Sequence, residues 1–205
     1  MYKTDQEVFW AGEFGDEYID RNQGDKLVAA NLSLFAKILA NTRGISNVLE
    51  FGSNRGLNLM ALRQLLPDVD LSAIEINAKA VAELEKQRIA NKVYHMSILD
   101  FTPDYQRDFV FIKGVMIHLN TEVLPQVYDL LYQSSKRYLL VMEYYNPTPV
   151  EIPYRGHTGK LFKRDFAGEM LDRFPDLQLL DYGFCYERDY MFPNGDGTWF
   201  LMEKR

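Results

Sequence analysis

The residues best suited to do chemistry form the run Glu50-Phe51-Gly52-Ser53-Asn54-Arg55-Gly56. A short apolar strand, Asn47 to Phe51, leads into it, and a helix follows from Leu57. Glycine at such a turn lets the backbone approach a ligand closely. Glu75 ends the next apolar strand, at the edge where open α/β sheets bind their ligands. A carboxylate there can accept hydrogen bonds from both hydroxyls of a ribose. An ordinary strand-to-helix turn with an exposed Glu would share each feature singly; turn, acid and strand order together point to a nucleoside-bearing ligand. The spacing also separates ligands. A dinucleotide site uses G-x-G-x-x-G, because a pyrophosphate rests on the helix N-terminus. Here the pattern is E-x-G-x-x-x-G. Glu50 would repel a pyrophosphate and suits a ligand that carries an ammonium group.

The elements that must position these residues alternate regularly. Strands are expected over 47–51, 71–76, 93–96, 108–113 and 138–143, with helices over 25–41, 57–66, 78–90 and 122–132 between or before them. That order with short links means a parallel sheet covered on both faces. A helix over 163–173 and two strands, 178–186 and 198–203, close the chain, with Pro193-Asn194-Gly195-Asp196-Gly197 between the strands. The expected fold class is therefore α/β: a Rossmann-like, doubly wound, mostly parallel seven-stranded sheet with a C-terminal antiparallel hairpin. Residues 1–24 stand apart as an N-terminal lid segment, too rich in Gly and aromatics for a clean helix or strand; residues 25–205 form the domain proper.

The motif and its surroundings resemble the class I methyltransferases that use S-adenosylmethionine (SAM), whose first motif is usually E/D-x-G-x-G-x-G. Asn54 replaces the middle glycine, and Asn is among the few residues that tolerate a left-handed backbone. The resemblance implies SAM as cofactor, with Glu50 toward its ammonium, Phe51, Gly52, Asn54 and Gly56 along the turn, and Glu75 and Ile76 at the ribose. It further implies Ser97 and Ile98 beside the adenine, with Asp100 as an alternative acceptor, and Lys113 to Leu119 passing the methionine portion. Tyr18 and Arg21 of the lid would reach the cofactor. A narrower resemblance rests on the blocks 9–18, 143–147, 154–157 and 160–166, which look like the methylases associated with pseudaminic acid biosynthesis. It implies a sugar-acid acceptor.

On the acceptor side, three prolines within residues 147–153 exclude a helix interior. A long connection of this kind is often a binding loop. Arg155, His157, Lys160, Lys163 and Arg164 follow with no acid among residues 155–164, which suits an anionic small molecule or, equally, a solvated basic face. Trp10, Tyr145, Asn146, Arg155, His157 and Lys160 are the candidate acceptor contacts. SAM is already activated, so alignment does most of the work, but a hydroxyl or ammonium acceptor needs a proton acceptor. His118, Glu143, Tyr144, Tyr145 and His157 are the candidates, His118 equally as a satisfied structural histidine. One of Tyr144 and Tyr145 should face outward.

Composition bounds the rest. The 205 residues suffice for one domain, and the net charge of −6 argues against a nucleic-acid track. Cys185 is the only cysteine, so no internal disulfide is possible. A polar N-terminus and no long apolar run lead to an expectation of a cytoplasmic protein with no membrane partner. No metal-ligand spacing stands out, so no metal is expected. Two other functions compete: a non-catalytic SAM-fold partner in a glycan-modification complex, and a dinucleotide-dependent sugar-modifying enzyme. The oligomeric state has no signature in the sequence.

Overall fold

The computed structural model describes residues 2–205; Met1, the first residue of the expected lid segment, lies outside the described residues. Strands β1 (Asn47–Phe51), β2 (Asp70–Glu75), β3 (Lys92–His95), β4 (Arg107–Lys113) and β5 (Ser135–Glu143) alternate with α4 (Leu57–Leu65), α5 (Ala78–Gln87) and α6 (Leu124–Ser134), as the apolar pattern requires. After α7 (Phe166–Arg173), β8 (Leu177–Phe184) and β9 (Thr198–Lys204) form an antiparallel pair. The sheet order is β3-β2-β1-β4-β5-β9-β8, parallel through β5 and antiparallel at β9. The expected seven-stranded, mostly parallel sheet is the observed one.

Strand alternation gives the sheet two buried faces. Leu49, Phe51, Val110, Ile112 and Val141 pack toward α6 and α7. Val48, Phe109, Phe111, Leu140 and Leu201 pack toward α3 (Asp25–Leu39) and α4. Glu50 and Lys113 fall on the α3–α4 face by the same alternation, and Glu143 on the other. No helix among the described residues is long and apolar enough to cross a membrane.

Three expectations are corrected. The N-terminal segment is helical after all: α1 (Asp5–Ala11) and α2 (Glu13–Arg21) meet at Gly12. Thr4 and Glu7 form a reciprocal capping box that starts α1, and this satisfies amides that would otherwise be orphaned. The final helix starts at Phe166, not at Lys163, because the Asp165 side chain caps Gly168 N at 2.8 Å, and an N-cap residue is itself non-helical. The proline-rich connection is partly ordered as strand: β6 (Val150–Glu151) pairs with β7 (Phe162–Lys163), beyond a turn where Tyr154 and His157 exchange backbone hydrogen bonds.

Candidate active site

A cavity of about 350 Å³ lies over the carboxyl ends of β1, β2, β4 and β5, within the usual size of small-molecule sites. Its floor is the turn after β1. Gly52, Asn54 and Gly56 all have positive φ, 75°, 48° and 81°. Asn54 does take the left-handed conformation expected of the missing glycine. A Cβ at Gly52 would stand 2.6 Å from a Val115 methyl, and one at Gly56 2.4 Å from a Leu84 methyl; those side chains would have to shift, and the positive φ adds backbone strain for any other residue.

Every amide of this turn already has an acceptor. Gly52 N and Ser53 N donate to the Ile74 carbonyl, and Gly56 N donates to that of Ser53. Asn54 N donates to Glu75 Oε2 at 2.6 Å, and Arg55 N to Asn54 Oδ1 at 2.7 Å. Glu75 Oε1 accepts from Asn77 N at 2.8 Å. Burial raises the Glu75 carboxyl above its ordinary range, against these backbone donors. Each of its oxygens keeps a second lone pair, and Glu75 lines the cavity with Ile76.

Helices α1 and α2 roof the space through Trp10, Tyr18 and Gln6. Asn77, the cap of α5, fastens the roof by donating to Trp10 O at 3.2 Å and Asp16 Oδ1 at 2.9 Å. Gln6 donates to Asn120 Oδ1 and to Gly159 O. Several buried wall atoms have no hydrogen-bond partner: Trp10 Nε1, Gln6 Oε1, Ser53 Oγ and Asn58 Oδ1. Burial pushes the Tyr18 phenol up to about 12, so it stays a neutral donor.

On the α6–α7 side the wall is aromatic. His118 sits 4.7 Å from the Trp10 ring and 5.0 Å from the Tyr154 ring. Its Nδ1 lies 2.6 Å from the Lys160 carbonyl, which fixes the tautomer with Nδ1 protonated and leaves Nε2 as a free acceptor. Desolvation lowers its pKa to about 4. Glu143 also lines the cavity, but its carboxylate caps a 3-10 turn, accepting from Val115 N at 3.0 Å and Met116 N at 2.9 Å. Burial raises it to about 7. Tyr144 lines the cavity, whereas Tyr145 is exposed and packs against Phe200; one tyrosine of the pair does face outward.

On the α3–α4 side, the wall includes Lys113, Asn31 and Asn58. Glu50 is fully buried behind them and accepts from Asn58 Nδ2 at 2.6 Å. Burial raises its carboxyl to about 8.

The structure thus brings Tyr18, Gly52, Asn54, Glu75, Ile76, Ser97, Ile98, Lys113, Trp10, His118, Glu143 and Tyr144 to one cavity. Other expected residues stand elsewhere. Phe51 belongs to the core, its ring against Phe101, because strand alternation turns it to the α6–α7 face. Gly56 supports the turn without reaching the wall. Arg21 pairs with Glu17 one helical turn away. Asp100 pairs with Lys3, so the adenine stretch reduces to Ser97 and Ile98. Asn146 holds its own turn by donating to Thr148 O. Arg155 is exposed at a hairpin tip, His157 packs on Phe9 and Phe14, and Lys160 Nζ lies over the Phe9 ring. Of the basic cluster, His157 and Lys160 therefore brace the outside of the roof. Lys163 Nζ sits 5.1 Å from the Tyr144 ring, and Arg164 is engaged by Glu169.

Asn31, Asn58, Asn77 and Tyr154 also shape the site, and none was expected. Only Asn77 carried a usable signal, as an N-cap residue directly after the strand ending in Glu75. Among the described residues no group of three or more His, Cys, Asp or Glu is placed to hold a metal.

No family model matches the chain, and no curated protein matches it. Solved structures share its fold. A SAM-dependent methyltransferase from Leishmania major superposes with a TM-score of 0.71 at 14% identity, over 98% of this chain and 87% of that one. The magnesium protoporphyrin IX methyltransferase of Synechocystis PCC 6803, solved with bound SAM, gives 0.70 at 14% identity and full coverage of both chains. The plantazolicin methyltransferase, solved with S-adenosylhomocysteine (SAH), gives 0.65 at 13% identity, over 98% and 94%. The chain has the Rossmann-like fold of the class I SAM-dependent methyltransferases.

Proposed function

We propose that this chain is a SAM-dependent methyltransferase acting on a small molecule. The observation that carries the reading is the turn after β1: its amides are all engaged, three of them by Ile74 and Glu75 at the end of β2. A pyrophosphate needs free amides there, so a dinucleotide is disfavoured. An adenosyl ligand needs none of them. Its ribose hydroxyls can donate to the remaining lone pairs of Glu75, and Ser97 and Ile98 flank the place of the base. The unpartnered wall atoms Trp10 Nε1, Ser53 Oγ and Asn58 Oδ1 favour a polar occupant, since buried polar groups are normally satisfied.

When bound, the cofactor supplies an activated methyl group. The chain supplies position, dryness and a proton acceptor. Helices α1 and α2 act as a lid that excludes water, and the aromatic wall holds the reacting partners in line. His118 Nε2 takes the acceptor's proton; its tautomer and low pKa keep it unprotonated at neutral pH. Glu143 orders the 3-10 turn that carries His118.

An acidic acceptor of the nonulosonic kind retains the support of the residue blocks that resemble pseudaminic acid-associated methylases. The basic cluster supports it only at the rim, because Arg155 and Lys160 lie outside the cavity wall. Calorimetry with SAM, SAH and NAD tests the cofactor: binding of the first two without the third is expected, and binding of NAD alone overturns the reading. Mass spectrometry of candidate sugar acids incubated with methyl-labelled SAM tests the acceptor, and lack of any transfer with SAH still bound would favour a non-catalytic SAM-fold partner.

A further inference from the structure

We propose that Gln6 and Trp10, one turn apart on α1, read the acceptor of the methyl group, and that this acceptor is a ring carrying two adjacent, uncharged hydroxyls. The inference rests on the SAM reading above and deepens it by naming the acceptor's chemistry.

Residues four apart share one side of a helix, and both of these line the cavity. Gln6 is only 4% exposed. Its Nε2 is spent on Asn120 Oδ1 and Gly159 O, which fixes the amide and leaves Oε1 buried with no partner. The next carbonyl along, that of Lys160, holds His118 Nδ1 at 2.6 Å. One short piece of backbone thus sets both side chains. The Trp10 ring stands 4.7 Å from the His118 ring and meets Phe14 and Tyr18 edge-on at 5.4 and 5.3 Å. Its Nε1 is also buried and unpartnered. The corner therefore presents one donor, Trp10 Nε1, and two acceptors, Gln6 Oε1 and His118 Nε2. Buried polar groups are normally satisfied, so the occupant must bring the partners.

This set of atoms selects the occupant. A carboxylate or phosphate could accept from Trp10 but brings no hydrogen for Gln6 Oε1 or His118 Nε2. An ammonium brings hydrogens but has no lone pair for the Trp10 N–H. A hydroxyl does both. One hydroxyl can donate to Gln6 Oε1 while accepting from Trp10 Nε1, and its neighbour can donate to His118 Nε2, the proton acceptor. Trp10, Tyr144 and Tyr154 supply aromatic faces for the ring that carries them. A phenolic ring and the apolar face of a sugar ring share that chemistry. A carboxylate elsewhere on the acceptor stays at the rim.

NMR on the full chain saturated with SAH reads this directly. The probes are catechol and methyl β-D-galactopyranoside, each set against the ether in which two adjacent hydroxyls are methylated. The ether keeps the ring and loses both donors. At least one diol should bind roughly 10-fold more tightly than its ether, the worth of two neutral hydrogen bonds. The diol that does so tells a phenolic acceptor from a sugar. It should also move the indole N–H resonance of Trp10, identified by its loss in Trp10→Phe. That variant keeps an aromatic ring and removes the N–H; Gln6→Met removes Oε1. Each should cut the preference for the diol severalfold, with SAH affinity changing less than diol affinity. No diol preferred over its ether in the wild type, a preference unaltered in both variants, or SAH weakened as much as the diol would each overturn the assignment, the last by giving the pair to the cofactor. A wild-type chain that does not bind SAH would instead remove the SAM reading, and this inference with it.

Discussion

The Glu75 carboxylate accepts the Asn54 amide at 2.6 Å, so the residue that ends β2 also locks the turn that follows β1. Site and scaffold are thereby coupled. Replacing Glu75 by Ala leaves Asn54 N and Asn77 N without their acceptor and removes the carboxylate proposed to hold the ribose. Charged hydrogen bonds are worth ~1.5–3 kcal/mol each. Glu75→Ala should therefore lower both SAH affinity and apo stability, by about 1–3 kcal/mol in each. Glu75→Gln should recover part of the stability, since it keeps one oxygen acceptor. Calorimetry and thermal melts check this pair; wild-type SAH affinity in the Ala variant would take Glu75 out of the site.

The roof is fastened largely by polar contacts, from Asn77 to Trp10 O and Asp16, from Gln6 to Asn120 and Gly159, from Lys3 to Asp100 and from Lys79 to Asp20. Deleting residues 2–22 should leave the seven-stranded domain folded, because neither main core cluster includes a residue of α1 or α2 and Ile19 is the one fully buried apolar side chain the segment contributes. SAH affinity should drop at least ~10-fold, as one wall of the cavity is lost. Circular dichroism and calorimetry on the truncated chain decide. Cooperative unfolding lost on truncation would make the segment part of the core and not a lid.

Much of this was legible in the sequence. Apolar periodicity located every strand of the main sheet, and the Glu50–Gly56 spacing with Glu75 located the cavity floor. What periodicity does not carry is direction in space. Arg155, His157 and Lys160 read equally as an anion site or a solvated face; a two-stranded hairpin carries all three, with His157 and Lys160 against the roof and Arg155 exposed at the tip. Phe51 and Glu50 are adjacent in the motif, yet alternation buries one in the core and the other behind Asn58. The α1 capping box is written in the sequence as Thr4-x-x-Glu7, but the flanking glycines mask the helix it starts. Asn31 and Asn58 lie in helices whose apolar faces dominate any reading of pattern.

Glu50 makes apo stability depend on pH. Its folded pKa, raised to about 8 from 4.5, means the native chain binds a proton that the unfolded chain has released. Stability from this group is complete below the unfolded value and is lost as pH rises through about 8. Glu143, raised to about 7, acts in the same direction over a narrower range. The melting temperature of the apo protein should fall between about pH 5 and pH 8. Glu50→Gln keeps a neutral acceptor for Asn58 and should flatten that slope. Melts of both proteins across the window test it; parallel slopes would show that Glu50 does not titrate there.

His118 Nδ1 is held by the Lys160 carbonyl at 2.6 Å, so the lone pair on Nε2 is available, and burial lowers the pKa to about 4. A histidine in water would lose its base function below about 6.5. His118 should keep it down to about pH 4, so the acid limb of kcat should lie well below the ordinary histidine value. His118→Gln removes the base and should reduce kcat by roughly 10²- to 10⁴-fold. SAH affinity should change little, because the ring faces the aromatic wall rather than the turn. The stability consequence has a definite sign: the lowered pKa contributes stability above about 6.5 that is lost as pH falls toward 4. Single-turnover methyl transfer from pH 4 to 8 in both proteins separates the roles. A kcat limb near 6.5 in the wild type, or an unaltered kcat in His118→Gln, would return His118 to a structural part in the aromatic wall.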